Sequence, residues 1–194
     1  MIRIAVVGNI GSGKSFVAKS FGLPVFDADK EVSLIYKKNK FLFKKLNKKI
    51  PKFIKTFPIN KKEILSCILA NNKNLKTITK IIHPIVRKKM NLFIKENKKK
   101  RAILLDIPLY LENRLNKKGD IIIYVNAKQS LINKKLRKRP NYNKILIKKF
   151  KKIQLKSNLK KKYSSYKINN NFNSLAVKKT INNLKLKILK TNEQ

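Results

Sequence analysis

Residues 2–15 read Ile2-Arg3-Ile4-Ala5-Val6-Val7-Gly8-Asn9-Ile10-Gly11-Ser12-Gly13-Lys14-Ser15. Ile2 to Val7 is an apolar run of strand length, bounded by Gly8. Gly8 to Ser15 then fits the pattern G-x-x-x-x-G-K-[ST], with a helix predicted from Lys14 to about Phe21. A strand, a glycine loop and a helix in that order make a phosphate cradle. Glycines at 8, 11 and 13 let successive backbone N–H groups, that of Ser12 among them, curl around an anion. The helix N-terminus adds a favourable dipole. Lys14 is placed for the β- and γ-phosphates, and the Ser15 hydroxyl for Mg²⁺. The chain has five glycines, at 8, 11, 13, 22 and 119, and three of them stand in this one loop. A chance turn would not concentrate them so.

Working outward, further apolar runs predict strands at Val25–Asp27, Ala102–Asp106, Asp120–Val125 and Tyr166–Ile168, and a last helix at Ser174–Leu189. Apolar strands alternating with helices predict an α/β fold with a parallel sheet covered on both faces. Residues 30–100 lack a strong strand and read as a helical insertion. Pro51 and Pro58 interrupt it, and Pro84 opens a helix through Val86, Met90 and Phe93. Residues 134–163 are basic and read as a second helical excursion.

The loop specifies a nucleotide but not a reaction. The guanine signature Asn-Lys-x-Asp is missing, and 194 residues are few for a motor ATPase. A small nucleotide-dependent kinase remains. Nine carboxylates serve the whole chain, so their positions carry information. Asp27 and Asp29 stand at the end of the second strand, Asp106 ends the third, and Glu112 follows it. Functional groups gather at the carboxyl ends of parallel strands, so Asp29 and Asp106 are the candidates to orient the attacking hydroxyl and to ligate Mg²⁺. The competing roles are a turn residue or helix cap for Asp27 and a first-turn helix acid for Asp29. His83, the one histidine, reads on its own as a cap of the helix after it. Arg137 and Arg139 are two of only six arginines and stand before Pro140, where their planar forks suit ATP phosphates under a closing lid.

The net charge is +41, from 50 Lys+Arg against nine Asp+Glu. This would ordinarily point to nucleic acid. Yet lysine (44), isoleucine (26) and asparagine (23) are all inflated, and their codons are A/T-rich. Coding bias explains all three excesses, while nucleic-acid binding explains lysine alone. Runs such as Lys98–Lys100 and Lys160–Lys162 then read as mostly solvated surface. Specific nucleic-acid binding is not expected, and six scattered arginines with no tryptophan agree. Cys67 is the single cysteine, so an intramolecular disulfide and a cysteine zinc site are excluded. With no apolar span of 18 residues and no secretory pattern at the N-terminus, a cytoplasmic protein without a membrane partner is expected.

Several separated segments resemble dephospho-CoA kinase. They are Gly8–Ser15, Val25-Phe26-Asp27-Ala28-Asp29, Ile82-His83-Pro84, Asp106-Ile107-Pro108-Leu109-Tyr110-Leu111-Glu112, Leu136-Arg137-Lys138-Arg139, Lys152-Ile153-Gln154 and Ile168-Asn169-Asn170-Asn171. The resemblance implies a P-loop, nucleoside-kinase-like three-layer fold with a five-stranded parallel sheet. Its core would be residues 1–29, 96–133 and 164–194, with a helical CoA-substrate-binding subdomain at 30–95 and a lid at 134–163. The implied reaction uses ATP and Mg²⁺ to phosphorylate the 3′-hydroxyl of dephospho-CoA, in a monomer or weak homo-oligomer. Asp29, Lys14 and Arg139 would be catalytic. ATP would meet Gly8, Gly11, Ser12, Gly13, Lys14, Ser15, Phe16, Arg137, Arg139 and Asn170. Dephospho-CoA would meet Asp29, His83, Leu109 and Glu112, and Mg²⁺ would meet Ser15 and Asp106. Another small nucleoside or nucleotide kinase is the alternative, and a basic nucleic-acid-binding P-loop protein a more distant one. The chain departs from the family at Val7 and Asn9, where Thr and Gly are usual, and at Phe16, where Thr is usual and only the backbone N–H is kept. Lys61 and Lys135 replace arginines, which keeps the charge but loses the bidentate fork.

Overall fold

A computed structural model describes residues 1–140 and 142–191. The chain divides into two compact units, Met1–Asp27 with Glu96–Gln194, and Ala28–Lys95.

The first unit is built on a sheet of five parallel strands. In chain order these are β1 (Ile2–Gly8), β2 (Val25–Asp27), β3 (Ala102–Asp106), β4 (Ile121–Asn126) and β5 (Tyr166–Asn169), arranged β2-β3-β1-β4-β5. The adjacent strands β1 and β3 are largely apolar on both faces because both faces are covered. All five residues of β3 are buried, as are Ile4 to Gly8 of β1. On one face α1 (Lys14–Ser20) and α9 (Ser174–Thr191) bring Val17, Ala18, Val177, Ile181 and Ile188 against Ile4, Val6, Leu104, Ile123 and Ile168. The register aligns the strand ends: Asp27 lies beside Asp106, Gly8 beside Val125, and Asn126 beside Asn169. One edge of the sheet therefore carries the phosphate loop and the strand-end acids. Between β4 and β5 come α6 (Gln129–Arg137), α7 (Lys144–Ile153) and α8 (Ser157–Lys162).

The second unit consists of α2 (Ala28–Lys38), α3 (Lys40–Lys49), α4 (Lys61–Ala70) and most of α5 (Asn72–Glu96). Asparagine side chains start two of these helices: Asn39 accepts from the Leu42 N–H and Asn60 from the Lys62 N–H, each at 2.8 Å.

The structure corrects three local expectations. Pro84 does not open a helix but lies inside the 25-residue α5. Proline there removes a backbone donor at a cost of about 3 kcal/mol. The buried stripe of Ile78 and Ile82 before it continues to Met90 after it, so burial holds the helix together across the proline. For the same reason His83 is an interior helical residue and not a cap. Asp120 precedes β4 and does not begin it, since its carboxylate accepts from the Lys117 N–H at 2.8 Å and closes the preceding turn. That carboxylate also pairs with Arg3 at 3.1 Å and receives the Tyr110 hydroxyl.

Leu104 is wholly buried at the centre of this core. Leu104→Ala is expected to lower the unfolding free energy by about 2–5 kcal/mol, a transfer term plus an unfilled cavity. Chemical denaturation checks this, with an unchanged m-value showing that the same two states are compared.

Candidate active site

Among the described residues the buried polar side chains are few: Ser12, Lys14, Asn74, Asp106, Lys160 and Asn170. All but Asn74 belong to the first unit, in or after its carboxyl-edge strands, and they are the framework of the site. Burying such groups is costly, and Lys14, Lys160 and Asn170 offset that cost with hydrogen bonds to the phosphate loop.

Two glycines fix the loop's shape. Gly11 (φ +79°) and Gly13 (φ +89°) are in the left-handed region that a side chain disfavours. Each is also pressed by a neighbour. A Cβ on Gly11 would stand 2.8 Å from Leu136 Cγ, and one on Gly13 would collide with the Asn170 amide. Gly8 is crowded too, as a Cβ there would stand 2.6 Å from the Val125 carbonyl. Asn170 joins the far side of the sheet edge to the loop, donating from Nδ2 to the Ser12 carbonyl at 2.8 Å and accepting the Phe172 N–H. Gly13 is also the residue that starts α1, so the loop's last N–H groups belong to a helix N-terminus.

Lys14 folds over this loop. Its Nζ donates to the Gly8 carbonyl at 3.2 Å and the Asn9 carbonyl at 3.0 Å. The Asp106 carboxyl stands at the end of β3 beside Ser15. Burial pushes that carboxyl above its ordinary range and the charge of Asp27 adds to this, while the Ser15 hydroxyl, Lys14 and Lys19 pull the other way. Asp27 itself pairs with Lys19 at 3.7 Å across a largely exposed lysine, a contact of small energy.

The donor set can be tested against Mg²⁺. No group of three His, Cys, Asp or Glu among the described residues is arranged to hold a metal. The Ser15 hydroxyl and the Asp106 carboxylate, both hard oxygen donors, stand beside each other. Mg²⁺ is suited to such a pair, because it keeps several waters and takes substrate phosphates as further ligands. Ser15 and Asp106 therefore fit.

The structure thus brings together Gly8, Gly11, Ser12, Gly13, Lys14, Ser15, Asp106 and Asn170. Glu112 is in the turn after β3, with Oε1 accepting the Leu155 N–H at 2.9 Å and pairing with Lys160 at 3.2 Å. Leu109 is half-buried in the same turn. Phe16 is in the first turn of α1 and 38% exposed. Arg137 ends α6 and Arg139 follows in the next turn, both exposed. In the second unit Asp29 is the second residue of α2, within its acidic first turn. His83 is half-buried on an α5 face shared with Arg87, Lys88 and Lys95. Burial holds its imidazole below the usual histidine range, and Arg87 one turn on adds to the effect.

One reading fails in part. Lys160–Lys162 is not uniformly solvated: Lys161 and Lys162 are exposed, but Lys160 is only 1% exposed. Gln154, Ser157 and Lys160 all reach the phosphate loop. Gln154 Oε1 accepts the Ile10 N–H at 3.2 Å, Ser157 pairs with the Asn9 amide at 3.0 Å, and Lys160 donates to the Gly8 carbonyl at 3.5 Å. Among 44 lysines nothing in the sequence marks Lys160 as buried.

Gly13→Ala is expected to lose nucleotide binding and stability together, since it adds both a strained φ and a collision with Asn170. Gly119→Ala is the control: Gly119 has φ +88° and open space around its Cβ position. That change should cost about 1–2 kcal/mol and leave binding intact. Melting curves and ADP titrations on the pair separate strain from loop closure.

A family model described as dephospho-CoA kinase matches residues 2–176. The dephospho-CoA kinase of Wolbachia pipientis wMel is 32% identical over 168 residues, which cover 84% of this chain and 86% of that protein. The dephospho-CoA kinase of the Wolbachia of Brugia malayi is 32% identical over 170 residues, covering 85% and 87%. Two crystal structures share the fold: TT1252 from Thermus thermophilus, with a TM-score of 0.76 at 23% identity over 97% of both chains, and the dephospho-CoA kinase of Campylobacter jejuni, with a TM-score of 0.67 at 21% identity over 98% of both. A phosphate loop at the carboxyl edge of a five-stranded parallel sheet, together with relatives that match along most of its length, makes this chain a member of the dephospho-CoA kinase family.

Proposed function

We propose that this chain transfers the γ-phosphoryl group of ATP to the ribose 3′-hydroxyl of dephospho-CoA, giving ADP and CoA, the last step of coenzyme A synthesis. The observation that carries this is the buried loop assembly, Lys14 over the Gly8 and Asn9 carbonyls beside the Ser15–Asp106 pair, in a chain of this family.

The loop's N–H groups and Gly8, Gly11, Ser12 and Gly13 hold the phosphates of ATP. On binding, Lys14 turns from its two carbonyls to the β- and γ-phosphates, where a positioned cation stabilises charge that grows in the transition state. Ser15 and Asp106 would hold Mg²⁺, which would supply charge neutralisation during the transfer. The 3′-oxygen of the acceptor attacks the γ-phosphorus, the bond to the β–γ bridging oxygen breaks, and ADP leaves. Asp29 orients the hydroxyl and takes its proton. Arg139 and Arg137 approach the phosphates from the segment after α6, and Asn170 keeps the far wall of the loop. Phe16 contributes its backbone N–H. On the acceptor side, Leu109 and Glu112 present the turn after β3. His83, with the cations of α5, suits a substrate that carries a pyrophosphate. The reading includes a cytoplasmic location and no specific nucleic acid; among the described residues no helix is long and apolar enough to cross a membrane.

A panel of acceptors with Mg·ATP tests the reaction. Turnover of dephospho-CoA is expected; turnover of a nucleoside monophosphate in its place would sink the assignment. Asp29→Asn tests the proton's destination. It is expected to lower kcat by about 10²–10⁴ while ATP affinity changes little. Retained kcat would leave Asp29 as a helix-start acid, and partial rescue at raised Mg²⁺ would move it to the metal's surroundings.

A further inference from the structure

Of the 44 lysines, two are buried, and their ammonium groups donate to the same atom, the Gly8 carbonyl oxygen at the end of β1. The nucleotide accounts for Lys14. Lys160 comes from α8, far along the chain, and is more deeply buried. A second lysine there is costly to keep, since two like charges share one carbonyl and both have left water. Glu112 offsets part of that cost through its ion pair with Lys160 at 3.2 Å.

The neighbours of Lys160 follow the same pattern. Three consecutive residues of the loop are each bound by one residue of the segment 154–160: Ile10 by Gln154, Asn9 by Ser157, and Gly8 by Lys160. The Leu155 N–H shares the Glu112 oxygen with Lys160, which ties the start of the segment to the turn after β3. Asn9 lies outside the left-handed region, so its side chain is accommodated without backbone strain and is free to pair with Ser157.

We propose that Lys160 is a positioning residue of the phosphate loop, anchoring a brace of residues 154–160 that holds the Gly8 carbonyl when Lys14 turns to the nucleotide. Lys14 cannot serve the β- and γ-phosphates and the loop carbonyls at once. When it leaves, the Gly8 oxygen keeps a charged donor only because Lys160 remains. The loop's N–H groups then stay aimed at the phosphates. The inference rests on the nucleotide reading of the loop given above.

Nucleotide binding without acceptor provides the test, because it leaves the acceptor side, and any part of Glu112 in it, out of the measurement. Lys160→Met alone leaves the Glu112 charge buried without its partner and should lower the melting temperature. The double variant Glu112→Gln/Lys160→Met removes both charges and should recover most of that loss. If Lys160 positions the loop, the recovered double variant still binds Mg·ADP about tenfold more weakly or worse, the loss of one charge-assisted hydrogen bond. If the pair is only structural, affinity returns with stability, and the proposal is overturned. Gln154→Ala/Ser157→Ala keeps both buried charges and decides the matter should the charge variants not fold. It is expected to raise KM for ATP several-fold with KM for the acceptor unchanged, and unchanged nucleotide affinity would overturn the brace. Calorimetry on the parent comes first. A parent that does not bind Mg·ADP overturns the nucleotide reading and this inference with it; a parent that binds, with variants that bind equally, overturns the inference alone.

Discussion

Close approach at the phosphate loop is the constraint on which the site depends. The loop is walled by the Val125 carbonyl at Gly8, by Leu136 at Gly11 and by the Asn170 amide at Gly13. Each wall is nearer than a Cβ would permit. These walls come from β4, α6 and the turn after β5, so the loop's shape is set by the order of the sheet. β1 must be central for β4 to flank it, and β5 must extend the edge for Asn170 to reach the Ser12 carbonyl. The glycines answer to their neighbours as well as to the ligand.

The same edge concentrates charge that the rest of the chain keeps in water. A net charge of +41 opposes compaction through self-repulsion. The fold limits that penalty by leaving all but two lysines with their ammonium groups near solvent, where salt screens them. At the site the balance is local. Lys14, Lys19 and Lys160 face Asp106, Asp27 and Glu112, so three of the nine carboxylates stand among the cations of one loop. Compositional drift toward lysine meets little resistance on the exposed face, where water and salt screen each added charge. The three acids at the site cannot drift in the same way, since Asp27 pairs with Lys19, Glu112 serves Lys160 and the Leu155 N–H, and Asp106 stands beside Ser15.

Much of this was legible in the sequence, for physical reasons that differ by element. The strand β3 emerges with its observed bounds because a strand buried on both faces is a continuous apolar run with abrupt ends, and the short edge strand β2 because Pro24 and Asp27 bracket it. The loop is legible because backbone approach to phosphate demands glycine, and glycine is rare here. Asp120 misled because an acid beside Ile121 looks like the start of a strand, whereas its carboxylate is spent on the Lys117 N–H. Pro84 misled because local propensity penalises proline in a helix, while the decisive term is the stripe from Ile78 to Met90, which belongs to tertiary packing.

Lys160 shows where such reading stops. Its type, its neighbours Lys161 and Lys162 and the surrounding composition all say surface, and for those two neighbours that is true. What buries Lys160 is the position of Glu112, 48 residues earlier, at the end of a turn that only the assembled sheet brings beside α8. A residue defined by a long-range partner has no local signature. In an ordinary sequence a lone lysine in that place would stand out as an anomaly; here lysine excess conceals it. The rarer partner is the better guide. With nine acids in the chain, each one near the loop has a cation or donor to account for, and following Glu112 outward leads to Lys160, then to the Gly8 carbonyl, and so to the second ammonium on the atom that Lys14 also holds.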